Sequence, residues 1–141
     1  MNFKAFIAAV EENLSKLGFD YDIQDDKVTV NGTVTTKTYD DGIYIDASLY
    51  ESGNLCVTFV FDEVEPSLEV YRLINEFNDN VGYLKAYITT RNEKNFLAID
   101  YYVLNNESEE VAQQEFEYAL MKVVNDSVSK YLLPITAYTH E

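Results

Sequence analysis

The sequence contains few of the residues from which catalytic and metal sites are built. Its 141 residues include a single cysteine, Cys56, a single histidine, His140, and no tryptophan. One cysteine excludes an intramolecular disulfide and a zinc site made of cysteine ligands. His140 is the penultimate residue, and chain ends fray, so we expect no histidine-activated nucleophile. We therefore predict that the protein is not an enzyme and holds no metal and no cofactor.

Glycine-rich phosphate-binding motifs are absent as well. The 5 glycines are scattered and match neither the phosphate-binding loop nor the dinucleotide-binding fingerprint. The acidic passage over residues 20–26 lacks the glycine and the glutamate that a calcium loop requires, so we interpret it as a solvated loop. Cys56 alternates with apolar residues and has no basic neighbour to activate its thiol, so we interpret it as a packed side chain. None of these features predicts a reaction.

Positive charge is scarce. The chain has 10 Lys and Arg against 25 Asp and Glu, which gives a formal net charge of −15. Such a surface repels the phosphates of nucleic acids and of anionic membranes, so we expect neither as a partner. A basic protein partner fits the charge, although acidity also keeps a protein soluble without any partner.

Long apolar runs are missing too. The longest spans only residues 55–61, far short of the roughly 20 residues that a membrane-spanning helix needs. The first residues enter an amphipathic pattern directly, without the apolar core and cleavage site of a signal peptide. We therefore expect a cytoplasmic protein.

What is present is the composition of one folded domain. Apolar residues make up 47% of the chain and aromatic residues 14%, including 12 tyrosines. No linker, repeat or low-complexity tract interrupts the sequence, and its length is typical of one domain. We predict a single domain over residues 1–141.

The spacing of apolar residues predicts an α+β fold. Helical spacing and alternation predict helices over residues 2–17, 66–82 and 108–134 and strands over residues 28–30, 33–35, 43–50, 55–62, 84–90 and 96–103. Asn31-Gly32 is typical of a type I′ turn and predicts a hairpin, which leaves open whether the first group has three or four strands. The predicted order is helix, antiparallel meander, helix, β-hairpin, helix, with the helices packed on one face of the sheet. The predicted core consists of Phe3, Phe6, Val10, Leu14, Phe116, Leu120 and Val123 against Ile45, Phe59 and Ile99.

The second face of the predicted sheet is rich in tyrosine. Strand alternation directs four tyrosines away from the core: Tyr44, Tyr50, Tyr87 and Tyr102. Tyrosine and short polar groups are the composition of recognition surfaces, so these four are predicted protein-binding residues. The alternative is that tyrosine is simply a good strand former on a solvated face.

The second half of the chain resembles a known family. The run Leu73-Ile74-Asn75-Glu76-Phe77-Asn78, the two strands that follow it and the long helix with an acidic start resemble the YbjN-like family. That family is similar in fold to the type III secretion chaperones. The resemblance implies a small, acidic, bacterial or phage-encoded protein without enzymatic activity that binds other proteins, often as a dimer. Asn75 and Asn78 are interpreted first as helix-end residues.

The same helix offers a surface for self-association. Tyr71, Leu73, Ile74 and Phe77 are more apolar positions than one side of a short helix needs for a small core. The resemblance to the chaperone fold implies a two-fold contact on this helix, with Tyr71, Ile74 and Phe77 as its candidate residues. The alternative is that they are buried within the monomer.

Together these observations favour a non-enzymatic protein-binding domain, chaperone-like or regulatory. The alternative is an acidic immunity-type or decoy inhibitor of a basic protein.

Overall fold

Ten helices and strands are present in the part of the chain that the computed structural model describes, residues 2–14, 19–39 and 41–137. His140 and the predicted helix end at Gly18 lie outside these residues. In chain order the elements are α1 (Phe3–Leu14), β1 (Phe19–Ile23), β2 (Lys27–Val34), β3 (Ile43–Tyr50), β4 (Leu55–Glu63), α2 (Leu68–Asn80), β5 (Lys85–Arg91), β6 (Lys94–Val103), α3 (Glu109–Val123) and α4 (Asp126–Thr136). The predicted α+β fold is confirmed.

The six strands form one antiparallel sheet in the order β1-β2-β3-β4-β6-β5. The meander therefore has four strands, and β1 and β5 are the two edges. The helices cover one face: α1 contacts α3 and β2, α2 contacts α4 and β5, and α3 and α4 contact β4. We call the opposite, uncovered side the open face.

The core lies between the helices and the sheet, as predicted. Phe6 and Phe116 are fully buried and meet edge to face, with their ring centroids 6.4 Å apart. The other predicted core residues with described side chains also join this cluster, with Leu120 partly buried against it: Phe3, Val10, Val123, Ile45, Phe59 and Ile99. The side chain of Leu14 lies outside the described part of the chain.

The predicted hairpin at Asn31-Gly32 is wrong. Both residues lie inside β2, where Gly32 pairs with Phe19 on one side and with Ile45 on the other. Neither residue has the positive φ that a type I′ turn requires. The chain instead turns at residues 24–26, so Asp20 and Asp22 belong to β1 rather than to a solvated loop.

A type I′ geometry does occur, between β5 and β6. Asn92 and Glu93 have φ values of 53° and 66°, and Arg91 pairs with Lys94 to close the two-residue turn. The sequence prediction placed a five-residue turn over residues 91–95. Because the turn is tighter, β5 extends one residue further than expected, to Arg91, and β6 begins two residues earlier, at Lys94.

The predicted last helix is two helices. Ser108 is its N-cap, as expected, and accepts a hydrogen bond from the backbone N–H of Val111. The helix stops at Val123, and Asn125 caps a new helix that runs through Pro134 to Thr136. Pro134 therefore does not end the helix. The carbonyl that the missing N–H of Pro134 would otherwise bond belongs to Lys130, an exposed residue.

The helices of the described chain are too short or too polar to cross a bilayer.

Candidate functional site: the β5 edge groove

The candidate site lies at an edge of the sheet. β5 pairs with β6 on one side and with no other strand of the described residues on the other side. In an antiparallel ladder, successive residues direct their backbone N–H and C=O groups alternately towards and away from the partner strand. The outer edge of β5 therefore presents backbone N–H and C=O groups that form no hydrogen bond with β6.

The first of these outer residues is Ala86, and the side chain of Asn78 bonds it twice. The Asn78 amide nitrogen donates to the Ala86 carbonyl at 3.0 Å, and the Ala86 N–H donates to the Asn78 amide oxygen at 2.7 Å. A side-chain amide has the same donor and acceptor as a peptide group. Asn78 thus binds the β5 edge as one residue of a neighbouring strand would.

The next outer residues are Ile88 and Thr90, which alternate with Ala86 along β5. Within the described chain no side chain bonds to their backbone groups. α2 lies alongside this part of β5, and a groove of about 410 Å³ opens between them. Its lining comprises Tyr71, Ile74, Asn75, Asn78, Ala86, Tyr87, Ile88, Thr90 and Asn95. We call this surface the edge groove.

The other sheet edge is different. β1 has only 5 residues, and Asp20 and Asp22 project from its open-face side. Short length and charged side chains are the usual means by which edge strands resist pairing with other chains. The central part of β5 carries no charge, so of the two edges it is the one suited to accept another strand.

The four predicted tyrosines all lie on the open face, but they do not form one patch. Tyr44 and Tyr87 occupy the same row across the sheet, with Val60 and Ala98 between them. Three strand spacings separate their backbones by roughly 14 Å. Tyr102 lies opposite Cys56, at another level of the sheet.

The fourth tyrosine, Tyr50, lies at the end of β3. It pairs with Lys27, whose ammonium group is 5.5 Å from the Tyr50 ring centroid. Only Tyr87 of the four also lines the edge groove.

Tyr87 is fixed by a hydrogen-bond network on the open face. Its hydroxyl donates to Asp100 at 2.9 Å, and the Thr58 hydroxyl donates to the same carboxylate oxygen at 2.9 Å. Burial, followed by the hydrogen bond to Asp100, raises the pKa of Tyr87 to about 12. The phenol is therefore neutral at physiological pH and serves as a positioned donor.

Two of the three residues predicted for a dimer contact are not on the surface. Phe77 is fully buried and Ile74 is 5% exposed, because both face the core that α2 shares with β5 and α4. Tyr71, by contrast, is 51% exposed and lines the edge groove. The alternative that these apolar residues fill the monomer core holds for Ile74 and Phe77.

Sequence reasoning missed the role of Asn78 and the backbone of Ile88 and Thr90. Asn78 was interpreted as a helix-end residue, whereas the structure shows its amide on the edge strand. The signal was available in the run from Asn75 to Asn78, but its meaning depends on the β5 edge being unpaired. That fact comes from the strand order, which no local pattern encodes.

The open face carries a row of acidic and polar side chains. Paired positions run across five neighbouring strands: Asp20, Asn31, Asp46, Thr58 and Asp100. One oxygen of Asp46 is buried without a hydrogen-bond partner in the described structure.

No three His, Cys, Asp or Glu side chains of the described residues are placed to hold a metal ion. Burial, with the nearby Asp100 carboxylate, raises the pKa of the Cys56 thiol, as expected of an unactivated packed cysteine.

Comparison with known proteins assigns the chain to a family. The sequence model of the YbjN family, described as "Putative bacterial sensory transduction regulator", matches residues 7–127. A similar solved structure is the crystal structure of YbjN, "a putative transcription regulator from E. coli", with 12% identity, coverage of 92% of this chain and 87% of that one, and a TM-score of 0.49. No curated protein sequence matches significantly. Since the family model spans most of the sequence, the chain belongs to the YbjN family.

Proposed function

We propose that the protein is a regulator that binds an extended segment of another protein, which adds a strand to the β5 edge. The observation that carries the proposal is the pair of hydrogen bonds between the Asn78 amide and Ala86. These bonds reproduce strand pairing at one residue, and the same edge continues open at Ile88 and Thr90. Backbone bonds of this kind supply affinity in strand-addition complexes, while pockets for alternate side chains supply specificity.

The edge groove favours a particular pattern in the bound segment. Successive side chains of an added strand point to opposite faces. One set would lie against Tyr71 and the half-buried Ile88, and the other would lie above the open face near Tyr87. An alternation of apolar and short polar residues fits this arrangement.

The charge of the protein favours basic residues in the partner. A net charge of −15 attracts a cationic chain at long range. The central part of β5, Ala86 to Thr90, is uncharged. Lys and Arg therefore suit positions outside the paired stretch, where they face the acidic remainder of the molecule. A partner of this kind is consistent with a regulatory or chaperone-like role.

Peptides selected from a random displayed library against the protein test the proposal. On titration they should shift the amide resonances of Ile88 and Thr90 and slow the hydrogen exchange of both amides. The variant Ile88→Pro removes an outer N–H without removing a bond to β6, so the sheet should persist while binding is lost. Ile88→Val keeps the N–H and should bind like the unchanged protein. Selected peptides that leave these two amides unshifted would contradict the proposal.

A second candidate function, an acidic decoy inhibitor of a basic protein, is favoured by the carboxylates on the open face. Asp20, Asp46 and Asp100 lie in one row across the sheet. Binding by such a surface depends on charge and weakens steeply with ionic strength.

Two variants distinguish the candidates. Asp46→Asn combined with Asp100→Asn should weaken decoy binding to an oligo-lysine probe and leave the library-selected peptides bound. Ile88→Pro should abolish binding of the library-selected peptides and leave binding of the oligo-lysine probe unchanged. Equal loss in both variants would indicate a general change of fold, which far-ultraviolet circular dichroism detects.

A further inference from the structure

A second groove lies on the open face, beside the tip of the β5–β6 hairpin. A β-bulge produces it: from Val60 to Glu63 the chain of β4 advances three residues, while β6 advances two, from Ala98 to Phe96. An extra residue of this kind bends the strand and increases its twist. The bulge lies where the hairpin leaves the meander, so the end of β5 approaches β3.

The approach is seen in a contact between strands that are not neighbours. The guanidinium carbon of Arg91, at the end of β5, is 5.9 Å from the ring centroid of Tyr44 on β3, although β4 and β6 lie between these strands. Both residues of this contact line a groove of about 400 Å³, together with Val60, Asn92, Lys94 and Phe96. We call it the tip groove.

Its floor and walls are apolar. Val60 is 8% exposed although it lies on the open face, because Tyr44 and Phe96 flank it. The rim is cationic: Arg91 and Lys94 close the hairpin as a pair, and both are exposed. The tip groove therefore combines an apolar pocket with two positive charges.

The charges are noteworthy because the protein is so acidic. It has 10 cationic residues in total and only two arginines. The other, Arg72, forms ion pairs with Glu69 and Glu76. Arg91 and Lys94 form no ion pair among the residues that the structure describes, although Glu93 adjoins them and Glu63 lies opposite Phe96. Their donors remain free for an anion.

We propose that the tip groove binds a small organic carboxylate with an aromatic or apolar body. The carboxylate would receive hydrogen bonds from the Arg91 guanidinium, whose planar donor fork matches the two oxygens. The body would lie on Val60 between the rings of Tyr44 and Phe96. A volume of about 400 Å³ is that of a small-molecule site with a few polar groups at its rim. The tip groove shares no lining residue with the edge groove, so this proposal stands apart from peptide binding.

Titration with benzoate, followed by nuclear magnetic resonance, tests the site. Benzoate should produce saturable shifts at the Tyr44 and Phe96 rings and at the Arg91 side chain. Benzamide has the same shape without the charge and should bind about tenfold more weakly or worse, since hydrogen bonds between charged groups are the stronger ones.

Variants assign the effect to the rim. Arg91→Gln should weaken benzoate binding about tenfold, and Arg91→Lys should recover part of the loss. Lys122→Gln is the matched control, because Lys122 also lies over tyrosine rings, 5.3 Å from that of Tyr118, but on the helical side. It should leave binding unchanged. Absence of saturable shifts at the tip groove, equal binding of benzamide, or equal losses in Arg91→Gln and Lys122→Gln would each overturn the proposal.

Discussion

Asn78 connects the fold to the candidate function at the scale of one residue. Its amide satisfies both outer backbone groups of Ala86, at 2.7 and 3.0 Å. The bonds hold the start of β5 against α2 and leave the rest of the edge groove open. An asparagine at a helix end thus covers the backbone of one part of an edge strand and leaves the next part accessible.

Replacing Asn78 by alanine should therefore destabilise the protein. A half-buried donor and acceptor would lose their partner, which costs about 1–3 kcal/mol. Urea denaturation measures the loss, and hydrogen exchange at the Ala86 amide should become faster. Asn75→Ala, at an exposed position of the same helix, is the control and should change the free energy of unfolding by less than about 0.5 kcal/mol. Equal losses in the two variants would show that the Asn78 amide contributes nothing specific.

Tyr87 should remain protonated to unusually high pH. Burial is the main reason and the hydrogen bond to Asp100 is the next, and together they raise its pKa from 10.0 to about 12. A group whose pKa is raised on folding contributes stability below its unfolded pKa and loses that contribution as pH rises through its folded pKa. The contribution of Tyr87 should thus be complete below pH 10 and decline towards pH 12.

The chemical shift of the carbon that bears the Tyr87 hydroxyl measures this titration. Asp100→Asn removes the charge beside the phenol and should lower its pKa towards the ordinary value. No change in that variant would mean that Asp100 does not act on Tyr87.

At the scale of elements, the type I′ turn between β5 and β6 carries an unfavourable residue. Glu93 has a φ of 66°, a left-handed conformation that glycine adopts without cost and other residues adopt reluctantly. Glu93→Gly should stabilise the hairpin by about 1 kcal/mol, because relief of about 1–2 kcal/mol of left-handed strain exceeds the entropy of about 0.4–1 kcal/mol that glycine adds to the unfolded chain. Thermal or urea denaturation measures the gain. Asn92→Ala is the opposite control, because it places alanine at positive φ and should destabilise.

The same turn shows what the sequence could and could not predict. Periodicity identified β3 with its observed bounds, and the helix starts predicted at residues 66 and 108 lie within one residue of the observed N-caps, Ser67 and Ser108, because these features depend on nearby residues. Asn31-Gly32 has the local chemistry of a turn, yet Gly32 pairs with strands on both sides. Pairing on two sides outweighed the turn preference. Asn92-Glu93 has weaker turn chemistry and forms the turn.

The candidate sites depend on contacts between residues far apart in the sequence more than the helix and strand bounds do. Tyrosine alternation correctly placed Tyr44 and Tyr87 on the open face, but β4 and β6 separate their strands. The tip groove requires a bulge in β4 that brings Arg91 to Tyr44, and the edge groove requires β5 to be outermost. Neither the bulge nor the strand order follows from any short segment of sequence.

At the scale of the whole molecule, charge and burial both bear on self-association. Of the α2 residues predicted for a dimer contact, Ile74 and Phe77 lie in the core, so the exposed large apolar side chains of this helix are Leu68, 89% exposed, and Tyr71, 51% exposed. The surface of two adjacent side chains is far smaller than the roughly 800 Å² per partner that a stable interface buries. Two copies that each carry a net charge of −15 also repel one another.

We therefore predict that the isolated chain sediments as a monomer of 16.2 kDa at high micromolar concentration in low salt. Added salt screens the repulsion, so the same experiment at about 0.5 M sodium chloride separates the two causes. A monomer there too would mean that the apolar surface is too small, whereas a dimer that forms only in high salt would mean that charge alone keeps the copies apart. A dimer in low salt that Leu68→Ser with Tyr71→Ser converts to monomer would contradict the prediction and place a two-fold contact on α2.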